Sequence, residues 1–394
     1  MKVLIAGAGI GGLTAALCCL RRGMDVEIFE RASALGDVGA GIQLPPNAMK
    51  VFSKLDLADD LKAAAFAPSA IETRLGEDGR KIFSVPIHEG LWGGAYLNIH
   101  RADYIKVLKN AVLRQSPKAL KLNFNIKKFV QDSNGITLEF DNGSSRVGDI
   151  LIGADGIHSV VRDILFGQSN PRFTGNVAWR AVVPSSALSQ PLRGTSCAWF
   201  GRGKHAVTYP LRGGELVNFV GVVERPEPFA EGWKERGSVA QLQADFKGWA
   251  PYIVDILNAV PPDNLFKWGL YDRAPLESWQ SGRAALLGDS AHAMLPFMAQ
   301  GAAMAVEDAW GLAEALSQKQ TVSDALKAYE TSRKPRATMV QSASRSNMKT
   351  FHQRRTLGQI LTYGPMWLAG SYAPSIIRRK LERFYAYDVT GNSI

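Results

Sequence analysis

The chain has 394 residues, 46% hydrophobic and 21% charged, which is enough for a large core or two interlocked domains and well above the size at which small folds need staples. Three cysteines, two of them adjacent at Cys18 and Cys19, supply neither metal-ligand spacing nor a disulfide framework, so no metal site is expected and a reducing, cytoplasmic setting is. A formal charge of +10 without a dense Lys/Arg block interleaved with aromatics argues against nucleic acid and for anionic small molecules. The tail cluster Arg354, Arg355, Arg378, Arg379, Lys380 and Arg383 reads as a solvated helix face.

Met1 to Leu20 has the outline of a leader, since Lys2 precedes an apolar run. The glycines at fixed spacing, followed by an alternating strand ending in Glu30, argue instead for retained structure. Lys2 to Ala6 is predicted as a buried strand, Gly7 to Gly12 as a glycine turn, Leu13 to Arg22 as a helix and Asp25 to Glu30 as a second strand, together a βαβ unit. Pro45, Pro46 and Asn47 open a helix through Leu55, and the strand Tyr96 to His100 precedes a helix over Ala102 to Leu113. Lys121 to Lys128, Gly135 to Phe140 and Val147 to Ile152 alternate as strands, with turns at Asn134-Gly135 and Asn142-Gly143.

From Asn176 to about Trp268 the chain is β-rich and aromatic, with a hairpin turn at Arg212-Gly213-Gly214 between Ala206 to Leu211 and Leu216 to Val223. Ala284 to Leu287 reads as a buried strand running into Gly288-Asp289, and Gly301 to Ser317 as a helix, so the first domain resumes late in the chain. Leu357 to Ile377 carries no charge, but its glycines, Pro365 and Pro374 oppose a single membrane-spanning helix and favour packing against the body or a partner. The class is α/β, α+β overall. A Rossmann-like domain over 1–70, 98–175 and 270–345 interleaves with a β-sheet substrate domain over 71–97 and 176–269, and a helical segment follows over 346–394.

Three motifs carry the chemistry. In Gly7-Ala8-Gly9-Ile10-Gly11-Gly12 the first glycine permits the tight turn, Gly9 lets the backbone approach a pyrophosphate, and Gly12 allows close helix packing. The helix N-terminus adds partial positive charge, and Glu30 is set to hold ribose hydroxyls. Alone, this loop does not separate NAD from FAD. Gly153-Ala154-Asp155-Gly156 follows another strand and reads equally as a turn with an N-cap. In Gly288-Asp289 through Met304, a carboxylate at a strand end suits a sugar-alcohol chain, and the free amides of Gly301, Ala302 and Ala303 suit an anion, here a reduced flavin.

In this order, over nearly the whole chain, the three motifs resemble those of the single-component flavoprotein aromatic hydroxylases, the family of para-hydroxybenzoate hydroxylase and salicylate hydroxylase. The resemblance implies FAD held by Gly7, Gly9, Gly12, Glu30 and Arg31, by Arg101 near the phosphates, by Asp155 and Gly156, by Gly288 and Asp289, and by Pro296, Gly301, Ala302 and Ala303. Where the family often shows leucine in the segment after Arg101, this chain has Tyr104. Leu295-Pro296-Phe297-Met298-Ala299-Gln300-Gly301 and His205-Ala206-Val207-Thr208-Tyr209 look like the salicylate, 3-hydroxybenzoate and 6-hydroxynicotinate hydroxylase branch.

Strand alternation puts His205, Val207 and Tyr209 on one face, with the outer two Cα atoms about 13 Å apart. The implied reaction takes hydride from NADH or NADPH, docked transiently because only one glycine loop is present. It adds O2 to the reduced flavin as a C4a-hydroperoxide and hydroxylates a small aromatic acid. His205 is then the candidate base for the ring hydroxyl, Tyr209 orients the ring, and Gln300 contacts substrate near the flavin. His292 reads equally as a structural histidine, and a homodimer is among the expected assemblies. A flavin halogenase would show Trp-x-Trp-x-Ile-Pro where this chain has Trp179-Arg180-Ala181-Val182-Val183-Pro184. An NAD-linked dehydrogenase leaves Gly288-Asp289 unexplained. A hydroxylase of larger non-carboxylate phenols and a non-catalytic flavin-binding protein are the remaining alternatives.

Overall fold

The computed structural model describes residues 1–36, 40–88, 90–168, 170–227, 229 and 235–391. Strands Lys2–Ala6, apolar from Val3 onward, and Ile150–Gly153 pair in parallel at the centre of a six-stranded sheet, as expected of strands covered on both faces. Across that sheet the order is Gln280–Ser281, Ala284–Leu286, Ile150–Gly153, Lys2–Ala6, Asp25–Glu30 and Leu120–Leu122. Helices Ile10–Leu20, Arg101–Gln115 and Gly301–Gln318 pack together beside it and share its apolar core. The motif loops at Gly7, Gly153 and Gly288 therefore all emerge at the carboxyl ends of neighbouring parallel strands, where open α/β sheets bind ligands.

Two expected strands prove to be broken. Lys121 to Lys128 divides into Leu120–Leu122, in the six-stranded sheet, and Ile126–Gln131, in a three-stranded antiparallel sheet, because Asn123 turns the chain at φ 59°. Val147 to Ile152 divides into Ser145–Gly148 and Ile150–Gly153. Asp149 stands at that corner, its carboxylate accepting the Lys2 N–H at 2.6 Å.

The second large sheet has seven strands, ordered Leu265–Asp272, Arg172–Pro184, Leu216–Glu224, Lys204–Leu211, Ser196–Gly201, Ala70–Leu75 and Lys81–Pro86. Its hairpin turns at Arg212, Gly213 and Gly214, all at positive φ. One face is closed by helices Val239–Asp245 and Pro251–Asn258 over Trp179, Trp199 and Phe219. The other face, carrying Ala178, Val222 and Trp268, meets Leu295 and Phe297 from the segment before the Gly301–Gln318 helix.

The tail forms helices Val322–Phe351, Thr356–Tyr372 and Pro374–Tyr385. The uncharged segment lies on the edge strand Lys81–Pro86, where a Cβ at Gly370 would collide with Phe83. Its other side presents Leu357, Ile360, Leu361, Trp367, Leu368 and Tyr372 to solvent. Among the described residues, no helix is long and apolar enough to cross a membrane. The basic side chains of the tail cluster are exposed, as a solvated face requires, and residues 392–394 of the expected segment lie outside the described residues.

Candidate active site

The Ile10–Leu20 helix begins at Gly9 with no side-chain cap and no acidic residue in its first turn, so its leading N–H groups are left for an anion. Gly7 sits at φ 95°, and a Cβ there would come within 2.5 Å of the Ala154 carbonyl oxygen; at Gly9 a Cβ would meet nothing within 4 Å. Glu30 is fixed by two backbone amides, with Ala8 N–H donating to Oε2 at 3.0 Å and Ala32 N–H to Oε1 at 2.9 Å. Arg31 is exposed just beyond it. Arg101 starts its helix half-buried in the fields of Asp289 and Glu30, which oppose the lowering of its pKa by burial. Burial raises the pKa of Asp289, against the pull of His292 and Arg101.

Asp155 is engaged locally. Its carboxylate accepts the Ser159 hydroxyl at 2.5 Å and the Val161 N–H at 3.1 Å, capping the Val160–Phe166 helix beneath Gly7, while Gly156 turns the chain at φ 80°. Gly288, at φ 61°, lies against Ala305, and its N–H donates to Asp308 at 3.1 Å. His292 is anchored on one side: its Nε2 is 2.5 Å from Asp308 and its ring packs 4.9 Å from Trp279.

Pro296, itself exposed, opens a 3-10 turn that places Phe297 beneath the seven-stranded sheet. The Gly301–Gln318 helix then starts at Gln300 without a side-chain cap, leaving the amides of Gly301, Ala302 and Ala303 free of helical partners. Gln300 is buried; its Oε1 accepts from Asn47 Nδ2 at 3.0 Å, and its Nε2 has no partner among the described residues. Asn47 also donates to Glu307 at 2.7 Å, and Arg333 and Arg336 grip that carboxylate. Gln300 is thus aimed by a buried ionic network rather than by its own loop.

On the seven-stranded sheet, cross-strand pairing confirms the shared face: His205 stands opposite Val222, Val207 opposite Val220 and Tyr209 opposite Asn218. His205 is buried 5.0 Å from the Phe297 ring, and its Nδ1 lies 2.7 Å from His352 Nε2. Burial first, and His352 second, hold its pKa well below the usual imidazole range, so the ring is neutral. Burial pushes Tyr209 up to about 12. Its ring closes on Gly41, where a Cβ would come 2.5 Å from Cε2.

Arg180 shares this face, across from Val220, which separates it from Val207 two strands away. It is buried over Trp268, 5.4 Å from the ring centre, with its pKa lowered by burial, supported by Tyr209 and lowered further by Arg101. Two arginines and an uncapped helix thus bring positive charge to the space between the sheets.

A model of the FAD binding domain matches residues 1–344. The chain belongs to that family. A 6-hydroxynicotinate 3-monooxygenase from Bordetella bronchiseptica is 34% identical over 354 residues, covering 88% of this chain and 91% of that protein. A 3-hydroxybenzoate 6-hydroxylase from Polaromonas naphthalenivorans is 35% identical over 357 residues, covering 89% and 88%. Among solved structures, Klebsiella pneumoniae HpxO, complexed with FAD and uric acid, superposes with a TM-score of 0.86 at 26% identity over 97% of this chain and 96% of that one. The chain is therefore an FAD-binding flavoprotein monooxygenase of the aromatic-hydroxylase group.

The residues of this flavoprotein fit the cofactor. Gly9 leaves space where any side chain would stand, two uncapped helices offer amides to its anionic parts, and Gln300 Nε2, at the start of the second helix, is a buried donor without a partner among the described residues. Arg180, Asn47, Glu224 and His352 escaped the sequence reading. Only Arg180 carried a local signal, the alternation that buries Trp179 on one face and must put Arg180 on the other.

Proposed function

We propose that this flavoprotein hydroxylates a small hydroxylated aromatic or heteroaromatic carboxylic acid, with NADH or NADPH as transient electron donor and O2 as the source of oxygen. The observation that carries this reading is the single sheet face bearing His205, Tyr209 and Arg180 above the Phe297–Gln300 turn. In this reading the first sheet layer, over 1–70, 98–175 and 270–345, is the FAD domain, and the second, over 71–97 and 176–269, binds substrate. Gly7, Gly9, Gly12, Glu30, Arg31 and Arg101 hold the ADP half. Asp289 takes the ribitol, and Gly301 to Ala303 face the pyrimidine edge. Asp155, Gly156 and Gly288 shape the loops, and Pro296 shapes the turn over the flavin. When bound, FAD supplies the acceptance of hydride and the activation of O2.

The chain's own residues supply the remaining chemistry. Neutral His205 takes the proton of the ring hydroxyl on Nε2, since Nδ1 is engaged by His352, and an ionised ring is the better nucleophile. Tyr209, protonated at any working pH, donates to the ring oxygen or carboxylate, and Arg180 neutralises the carboxylate in a water-poor pocket. Gln300 Nε2 donates to substrate or flavin carbonyls. Three buried free cysteines agree with a reducing compartment, for which the cytoplasm is our assignment.

Incubation with NADH or NADPH and salicylate, 3-hydroxybenzoate or 6-hydroxynicotinate tests the function. One acid should accelerate cofactor oxidation and yield hydroxylated product in equal amount; peroxide alone with all three would remove the aromatic-acid assignment. Arg180→Met should raise KM for that acid roughly tenfold to a hundredfold, as expected for loss of a charge-assisted contact, with a smaller change in kcat. An unchanged KM would remove Arg180 from carboxylate binding.

We propose further that a second copy covers the exposed apolar stripe of the Thr356–Tyr372 helix, because an uncharged face of this width is unusual on a monomer. Sedimentation should show a dimer that Leu361→Glu converts to monomer; a monomeric parent protein would overturn this assembly.

A further inference from the structure

His205 is the inner end of a chain of titratable side chains that runs out of the substrate face. Its Nδ1 lies 2.7 Å from Nε2 of His352, which terminates the Val322–Phe351 helix, and His352 Nδ1 lies 3.1 Å from Glu224 Oε1. Glu224 Oε2 is paired with Arg354, and both side chains line a surface cavity of about 360 Å³ together with Lys204, Arg225 and Asp245. Phe297 and Phe351 pack on the two imidazoles and bring no charge. The groups that face the chain from neighbouring elements are therefore Glu224 and Arg354 directly, with Lys204, Arg225 and Asp245 across the cavity.

A base sealed in such a pocket faces a physical difficulty. A proton kept on His205 would be a buried charge, which the desolvation of that ring opposes. We propose that His205, His352 and Glu224 form the exit route for the proton of the substrate hydroxyl, with His352 and Glu224 as positioning residues for the hydroxylation. The inference rests on the reading above that His205 meets the ring hydroxyl.

The proton balance closes without a buried imidazolium. Each ring starts neutral with its proton on Nδ1, so His205 donates to His352 Nε2 and His352 donates to the Glu224 carboxylate. As the substrate O–H bond breaks, an N–H bond forms at His205 Nε2. The His205 Nδ1 proton moves to His352 Nε2, and the His352 Nδ1 proton moves to Glu224, from which cavity water takes it. Both rings end neutral in the opposite tautomer, and one proton has moved with no change in electron count. Burial also lowers the pKa of His352, against the opposing pull of Glu224, which keeps this ring in the neutral form that the transfer needs.

The test needs no turnover. Oxidised holoenzyme is mixed in weak buffer, without reduced cofactor, with 3-hydroxybenzoate, salicylate and 6-hydroxynicotinate in turn. Flavin absorbance follows binding, the ultraviolet band follows ring ionisation, and a pH indicator follows proton release. In the parent protein, ionisation and release should run together for an acid that binds. His352→Gly and Glu224→Gln, with parent flavin content and near-ultraviolet circular dichroism, should still bind but release the proton at least about tenfold more slowly. Added imidazole should restore the rate in His352→Gly. Release at the parent rate in both variants, or a slow His352→Gly that imidazole does not rescue, overturns the route while leaving the proposed function standing. Absence of ring ionisation in the parent protein with all three acids overturns the role of His205, and the route with it.

Discussion

A Gly12→Ala variant is expected to emerge from purification colourless and less stable. The added methyl group would fall inside the Gly7 carbonyl oxygen and against the Ala154 methyl, and Gly7 is itself backed by the Ala154 carbonyl at φ 95°, so the clash is with backbone that is held in place. With no flexible side chain to yield, the strand-to-helix turn must open, at a cost of about 1–3 kcal/mol for an overpacked site. The leading amides of the Ile10–Leu20 helix would then point away from the anion they serve. Gly9→Ala separates the two effects: its methyl meets no protein atom within 4 Å, so that variant should fold normally and still fail to hold FAD. The ratio of flavin to protein absorbance and a urea melt read both quantities. A yellow Gly12→Ala protein of parent stability would mean that the turn has slack the packing does not reveal.

His205→Gln should lower kcat by about 10²–10⁴-fold, the usual contribution of a positioned general base, with substrate affinity changed far less. The pH profile is the sharper readout. Because burial depresses the His205 pKa, the parent rate should rise through an acid limb below the ordinary imidazole value of about 6.5 and stay flat above it. In the variant the limb should vanish, and the rate should climb with the intrinsic ionisation of the phenol, towards about 10. An unchanged limb would assign ring deprotonation elsewhere.

Stability has to be followed alongside. A folded pKa held below the unfolded value makes protonation favour the unfolded chain, so this stabilising contribution is complete above about 6.5 and is lost as pH falls towards the folded pKa. His352 and His100, also lowered by burial, act in the same direction. Flavin fluorescence distinguishes loss of catalysis from loss of fold.

Much of the site could be read from local pattern. The glycine turn, the Gly288-Asp289 corner and the alternation of His205 and Tyr209 each express a steric rule acting over a few residues. Corners at Asn123 and Asp149 did not show, because one left-handed or short polar residue can redirect a strand without disturbing its alternation. His352 reaches His205 across 147 positions, and Asn47 reaches Gln300 across 253, so no window of sequence holds either pair. The Asp155 loop stayed ambiguous for another reason: a carboxylate capping a helix and one serving a cofactor need the same residues at the same spacing. The tail stripe was equivocal because apolar periodicity is the same whether it faces the body or solvent.

The central strand Lys2–Ala6 is flanked by Asp25–Glu30 on one side and by Ile150–Gly153 on the other, with Ala284–Leu286 beyond. During synthesis, the amino-terminal half of the nucleotide cradle must therefore wait, its open edge unpaired, until the ribosome has passed residue 153, and the Asp289 corner arrives only after residue 286. An unpaired strand edge held open over such an interval is a surface on which other chains can pair. A cavity begun by the first twelve residues is therefore completed only by the last third of the polypeptide.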